Sequence, residues 1–532
     1  MLVWLALLKK VLHDSGSFST VLYAAMSLID SSLGFDFDNS FVRLGEAFGR
    51  PVIPSAVSGP SLIVFNEALA YQLGGKPYDA DFLSYFSGNA LPEGAKPISQ
   101  VYAGHQFGSF NPQLGDGRAV LLGEVLSPDG KRFDLQLKGA GITPFSRGGD
   151  GRAALGPVLR EYLMSEAMHA LGVPTTRALA AVTTGEQVWR ERAFPGAILT
   201  RIASSHIRIG TFEYFARKGA RSEVKILADH VISRHYPECL YASNPYLALF
   251  DRVADAQAQL VAKWMSLGFV HGVMNTDNTS ICGQTIDYGP CAFVDAFSES
   301  ASFSSIDTGG RYAYGRQGSI VQWNLARFAE CLLYLFDDDI DRAVSLAEQK
   351  LADFPALFDR YWYALMSDKL GLSKGAPDAT ADHSAHLVKD LLALMERGGA
   401  DFTLSFRSLS LGLKSGDFTP FEALFSDLEV VDVRHWLVRW QEALLLAGLV
   451  DREVAENMLK VNPSIIPRNH QVEKALSEAL EAYDPRANEQ VFPYFSEMIK
   501  ALNTPYCMAH DGGLLAASPL NGGRGYRTFC GT

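Results

Sequence analysis

The distribution of glycine is the strongest constraint on how this chain can fold. Between Gly104 and Gly156 there are 12 glycines in 53 residues, where the average of 47 in 532 would place about five. Glycine loses more backbone entropy on folding than any other residue. Such a density therefore marks turns and close approach of backbone to a ligand, not long helices. Two apolar runs inside it, Arg118–Leu126 and Phe133–Leu137, read as strands, and the Ser127-Pro128-Asp129-Gly130 turn signal joins them as a hairpin. From Gly156 to Leu171 the spacing becomes helical, with Leu159, Leu163 and Ala167 about a turn apart and Gly172-Val173-Pro174 as a stop. Ala197–Ile202 is a further short strand. Beyond about residue 206 the chain reads mainly helical, for example over Tyr246–Leu267, Gln322–Leu335, Ala343–Met366, Val433–Ala447 and Glu473–Ala482. The expected fold class is α+β. A strand-containing lobe over 39–205 precedes a larger helical lobe over 206–505, with a leader at 1–38 and a tail at 506–532.

With 47 basic and 59 acidic side chains the net charge is −12, and hydrophobic residues make up 48%. That composition excludes a mainly disordered chain and argues against a broad nucleic-acid footprint, while leaving room for a local basic pocket. The apolar run Leu2–Leu8 is far short of the roughly 20 residues of a membrane span. Its lysines follow the run, where a secretory signal puts its charges first, so the leader reads as an over-extended start on a protein expected to be cytoplasmic and not membrane-bound. Six cysteines without a CxxC pair (Cys239, Cys282, Cys291, Cys331, Cys507 and Cys530) suit a reducing compartment and no structural zinc.

Several segments carry groups suited to phosphate chemistry. In Leu114-Gly115-Asp116-Gly117-Arg118, glycine lets backbone N–H groups approach a phosphate and Arg118 adds charge, although a plain turn between strands has the same composition. Lys138 ends the second strand, and Glu161 on the following helix stands where it could hold that ammonium group; kinase folds present a lysine to nucleotide phosphates in this way. Glu166, five residues on, belongs to another side of the helix. Asp150-Gly151-Arg152 is a second glycine-rich, charged loop, in which Asp150 also reads as a helix N-cap. Arg201 and Arg208, converging with Arg118 and Lys138, would make a cationic pocket for a polyphosphate. In His271-Gly-Val-Met-Asn-Thr-Asp-Asn278, followed after a short strand by Asp287-Tyr288-Gly289, Asn278 and Asp287 are hard ligands for one divalent ion and Asp277 is left as a base; an Asx-rich turn is the plain alternative.

These motifs, together with Tyr102-Ala-Gly-His-Gln-Phe-Gly108, QLKGAG, TPFSRGGDGRAALGPVLREYL and Gly310-Arg-Tyr-Ala-Tyr314, resemble the selenoprotein O family, the YdiU-type protein adenylyltransferases with a protein-kinase-like fold. The resemblance implies ATP contacts by Gly115, Gly117, Arg118, Lys138, Asp150, Gly151, Arg201, Arg208 and Asp287, and a supporting ion pair through Glu161. It implies Asp277 as proton acceptor and Asn278 and Asp287 as ligands to Mg²⁺ or Mn²⁺. The implied reaction binds the nucleotide reversed relative to ordinary kinases and moves AMP, or UMP from UTP, to Ser, Thr or Tyr hydroxyls of proteins, releasing pyrophosphate. A conventional protein kinase and a nucleotide-binding pseudokinase scaffold are the alternatives. Related bacterial proteins carry a cysteine after the metal aspartate. Here Ser298–Ser305 has none, so that stretch offers no partner for a regulatory disulfide. Cys530, where some eukaryotic relatives carry selenocysteine, reads equally as a redox thiol or as part of a plain tail.

Overall fold

Nine strands make one antiparallel sheet in the computed structural model, which describes residues 33–372, 378–425, 430–449 and 451–529. Along the sheet the strands run β2 (Gly49–Pro51), β4 (Ile98–Gln100), β7 (Ala119–Leu126), β8 (Arg132–Lys138), β11 (Ala193–Ala203), β10 (Arg177–Trp189) and β3 (Ser61–Phe65). Off this path, β1 (Asp36–Phe37) pairs with β7, and β9 (Ala153–Ala154) with β11. A separate hairpin, β5 (Gly104–Gln106) with β6 (Ser109–Asn111), stands apart from the sheet. The first strand falls inside the 1–38 segment expected as a leader; residues 1–32 and Cys530 lie outside the described residues.

The β7–β8 hairpin follows from its sequence. Period-two alternation sends Val120 and Leu122 into one core and Leu121 into the other, so the sheet is buried on both faces. Gly130, at φ +80°, closes the turn by donating its N–H to the Ser127 carbonyl. β10 has no counterpart in the sequence reading. Its opening Ala178-Leu-Ala-Ala181 favours helix by local propensity, and only its position between β11 and β3 makes it a strand.

Helix α1 (Leu155–Ala170) crosses the sheet with most of its side chains buried. Helices α2 (Ile209–Ala216), α3 (Arg221–His235), α4 (Pro245–Ser266), α5 (Gln317–Phe336) and α6 (Ile340–Lys369) begin the helical part. In α4, Asn244 caps the first turn by accepting from the N–H groups of Tyr246 and Leu247, with Pro245 at the first helical position. The fold is therefore α+β, with sheet first and helices after, but the division is not clean in space. Helix α7 (Asn469–Ala482) and α8 (Pro493–Leu502) pack back on α1, and the Gln490 N–H donates to the Leu62 carbonyl of β3. Among the described residues no helix is long and apolar enough to cross a membrane.

The segment between Asn278 and Asp287 is not the short strand expected. Gly283, at φ +71°, turns the chain, and two isolated bridges hold it instead, Ser280 to Arg208 and Thr285 to Thr175.

Candidate active site

All of the site residues singled out from the sequence line one cavity of about 870 Å³, walled by both the sheet and the helices. Lys138, the last residue of β8, puts its Nζ 2.6 Å from Glu161 Oε2 on α1 and 2.5 Å from Asp287 Oδ1. Arg201, on the neighbouring β11, bonds both carboxylates as well: its Nε lies 2.9 Å from Glu161 Oε1 and its Nη2 lies 2.5 Å from Asp287 Oδ1. Two cations and two carboxylates thus interlock. Arg201 is only 3% exposed at its side chain, against 14% for Lys138 and 27% for Asp287, so the last two face the cavity more openly. Burial alone would raise Glu161 and Asp287, but the surrounding cations outweigh it: Arg201 and Lys138 hold Glu161 below the usual carboxylate range, and these two with Arg208 hold Asp287 well below it. Asp287 also has φ +64°, a left-handed conformation that aspartate tolerates better than most residues.

Arg208 precedes α2. Its guanidinium lies 4.2 Å from the centre of the Tyr102 ring and donates to the carbonyls of Asp277 and His206. Arg118 has no hydrogen-bonding partner for its guanidinium among the described residues, which leaves its donors available to an anion. Asp150 is not a helix cap, because α1 starts from Ala154. It accepts from Arg190 at 2.8 and 3.1 Å and from the Arg152 N–H. Two glycines are required where they stand. A Cβ on Gly115 (φ +66°) would come within 2.3 Å of the Phe145 ring, and one on Gly151 (φ +65°) within 2.0 Å of the Gly141 carbonyl oxygen. Glu166 is turned away, onto Arg177 and Asn66.

The Thr276–Asn278 turn presents Asp277 and Asn278. Gln106 Nε2 donates to Asp277 Oδ2 at 3.2 Å, whereas Oδ1 is buried without a partner, and burial raises this carboxyl to about 6 against the opposing Gln106 hydrogen bond and Arg208 charge. Sequence reasoning assigned no role to Gln106, Tyr102 or Asp116. Tyr102 and Gln106 lie in the Tyr102–Gly108 run and Asp116 in the Leu114–Arg118 turn, but the contact that gives Gln106 a role spans 171 residues.

The profile of the family described as protein adenylyltransferase SelO matches residues 31–501. The chain belongs to the SelO family. Similar proteins include the protein nucleotidyltransferase YdiU of Agrobacterium fabrum, 49% identical over 499 residues that cover 93% of this chain and 99% of the relative. Those of Methylorubrum populi and Geobacillus kaustophilus are 51% identical over 514 residues and 50% over 502, each covering 94% of this chain and 99% of the relative.

In this SelO-family cleft the donor chemistry fits a hard divalent ion. Asn278 turns its Nδ2 to the Val273 carbonyl at 3.0 Å, which leaves the amide oxygen without a donor among the described residues. Asp287 engages Lys138 and Arg201 through Oδ1 and retains Oδ2. No group of three or more His, Cys, Asp or Glu side chains suited to a metal occurs among the described residues. An ion here would complete its shell with water and phosphate, as Mg²⁺ commonly does.

Proposed function

We propose that this cleft transfers AMP from ATP to a hydroxyl group of a protein and releases pyrophosphate, on a two-lobed, protein-kinase-like frame. The observation that carries the reading is the convergence, in a SelO-family chain, of Arg118, Lys138 and Arg208 on the cavity that Asp277 also lines. The Asp277 carboxylate accepts the proton of the acceptor hydroxyl. The freed oxygen attacks the α-phosphorus, the α–β bond breaks, and the negative charge that develops on pyrophosphate meets cations already fixed in place. Glu161 and Arg201 hold Lys138 and Asp287 in register. Gly115, Gly117 and Gly151, each packed too closely on Phe145 or Gly141 to carry a side chain, bring their backbone to the phosphates, and Asp150 orients the adjoining loop through Arg190. Asn278 and Asp287 are the residues to hold Mg²⁺ or Mn²⁺, which supplies neutralisation of phosphate charge when bound.

The acceptors are Ser, Thr or Tyr of protein substrates, with UTP as a competing donor. The free thiols Cys239, Cys291 and Cys331, all buried, support a reducing, cytoplasmic setting. The test is incubation with α-labelled and, separately, γ-labelled ATP. Label should reach protein from the α position alone. Transfer from the γ position, abolished by Asp277→Ala, would make this a conventional kinase, and nucleotide binding with no transfer would make it a scaffold.

A further inference from the structure

The hairpin that carries Gln106 to Asp277 continues into an unusual surface. Phe107 and Phe110 are half-buried there, with Arg217 4.9 Å from the Phe110 ring centre. Trp323 on α5 has two guanidinium groups over its ring, Arg311 at 4.8 Å and Arg327 at 5.1 Å from its centre. His105 joins the two aromatic groups, 4.9 Å from Phe110 and 5.3 Å from Trp323. Arg311 also lies against Gly108, where an added Cβ would stand 3.5 Å from its guanidinium carbon. The nearby carboxylates are committed. Glu330 pairs with Arg327 at 2.7 Å, Glu213 is buried beneath His105 and Thr276, and Asp307 caps the N–H groups of Arg311 and Tyr312. Arg217 and Arg311 have no carboxylate partner among the described residues, in a chain of net charge −12.

We propose that this arginine–aromatic face receives the acceptor protein and selects hydroxyl groups flanked by Asp or Glu. The inference rests on Asp277 being the base for protein hydroxyls. The hairpin packs directly on that base: a Cβ on Gly104 would come within 2.5 Å of Asp277 Oδ1. A hydroxyl-bearing segment that reaches the Asp277 carboxylate has its neighbours passing beside Gln106, Phe107 and Gly108. At roughly 3.3 Å per extended residue, Arg311 and Trp323 lie within a few residues of the acceptor. Guanidinium groups held over aromatic rings, Arg311 on Trp323 and Arg217 on Phe110, are weakly hydrated and keep N–H groups free to grip carboxylates. Loss of two such contacts corresponds to about a tenfold change in affinity.

The test uses the full chain, α-labelled ATP and a peptide series with one Ser placed between Glu, Gln or Lys residues. The parent protein should show a KM at least about tenfold lower for the Glu peptide than for the Gln peptide, with similar kcat. Arg311→Ser and Arg217→Ser, made separately and together, should erase that preference and leave ATP binding and transfer to the Gln peptide in place. Arg311→Lys should restore part of it. Equal KM values for the Glu and Gln peptides, or a preference that survives both substitutions, would overturn the proposal while leaving adenylyl transfer intact. Single-stranded oligonucleotide displacing the Glu peptide at equal concentration would also overturn it. Failure of every peptide to take α-label, with γ-label transferred instead, would refute the reaction itself.

Discussion

Lys138 and Arg201 touch the same two carboxylates, yet their exposure separates what each contributes. Lys138→Ala leaves Glu161 and Asp287 still neutralised by Arg201, so the cost to stability should be about 1–3 kcal/mol. Activity should fall by about a hundredfold or more, because the ammonium group proposed to neutralise the phosphates is gone. Arg201→Ala strips a nearly inaccessible guanidinium from Glu161, whose side chain is 8% exposed, and should cost about 3–5 kcal/mol. Melting temperature and turnover measured on both variants separate the roles; equal destabilisation would refute the distinction. Gln106 makes a different argument. It touches Asp277, the proposed base, at one oxygen and leaves the other without a partner, so Gln106→Ala should lower kcat and leave the Kd of ATP unchanged, whereas Asn278→Ala and Asp287→Ala should weaken metal-dependent ATP binding measured by calorimetry.

At the scale of elements, the glycine-rich loops separate into those that any residue of suitable conformation could replace and those that cannot change. Gly130 closes the β7–β8 turn at φ +80° with nothing within 4 Å of an added Cβ, so Gly130→Ala should cost about 1–2 kcal/mol of backbone strain and leave the KM for ATP unchanged. Gly151 adds a 2.0 Å collision with the Gly141 carbonyl to a similar φ, so Gly151→Ala must displace one loop of the cavity wall. Its melting temperature should drop further, and its KM for ATP should rise. The composition of residues 104–156 disclosed that glycine mattered there. It did not distinguish the two kinds of position, because the atom that collides belongs to another turn.

Across the whole molecule, the sheet and the helices are joined by buried charge. Arg234 on α3 pairs with Glu124 of β7 and Asp134 of β8, each at 2.7 Å, and Asp134 also accepts from the His206 backbone N–H. One helical turn before Arg234, His230 lies edge-on to Phe41, and burial, with Arg234 adding to it, depresses its pKa from 6.5 to about 4. The folded form therefore refuses a proton that the unfolded chain accepts below about pH 6.5. The stability this histidine contributes is complete above that pH and is lost as the pH falls toward 4. A His230→Gln variant, which cannot titrate, should gain in melting temperature relative to the parent as the pH is lowered from 7 to 4.5. A difference between the two that stays constant over that range would disprove the neutral, buried state.

The sequence by itself determined the local chemistry. The β7–β8 hairpin, α1 and the long helices α4 and α5 were legible because periodicity, turn residues and caps act within a few positions of one another. The lysine and the glutamate were ordinary taken singly and drew notice only as a pair, and likeness to a known family tied them to the acidic turn. What only the tertiary structure decided is who touches whom at long range. The coupling of Asp287 to Lys138 and Arg201, the grip of Gln106 on Asp277, the strand character of β10 and the return of α7 and α8 onto α1 each join residues far apart in the chain. No local pattern encodes such contacts, since their stabilisation exists only once packing has closed the loops between them and excluded water from the charges.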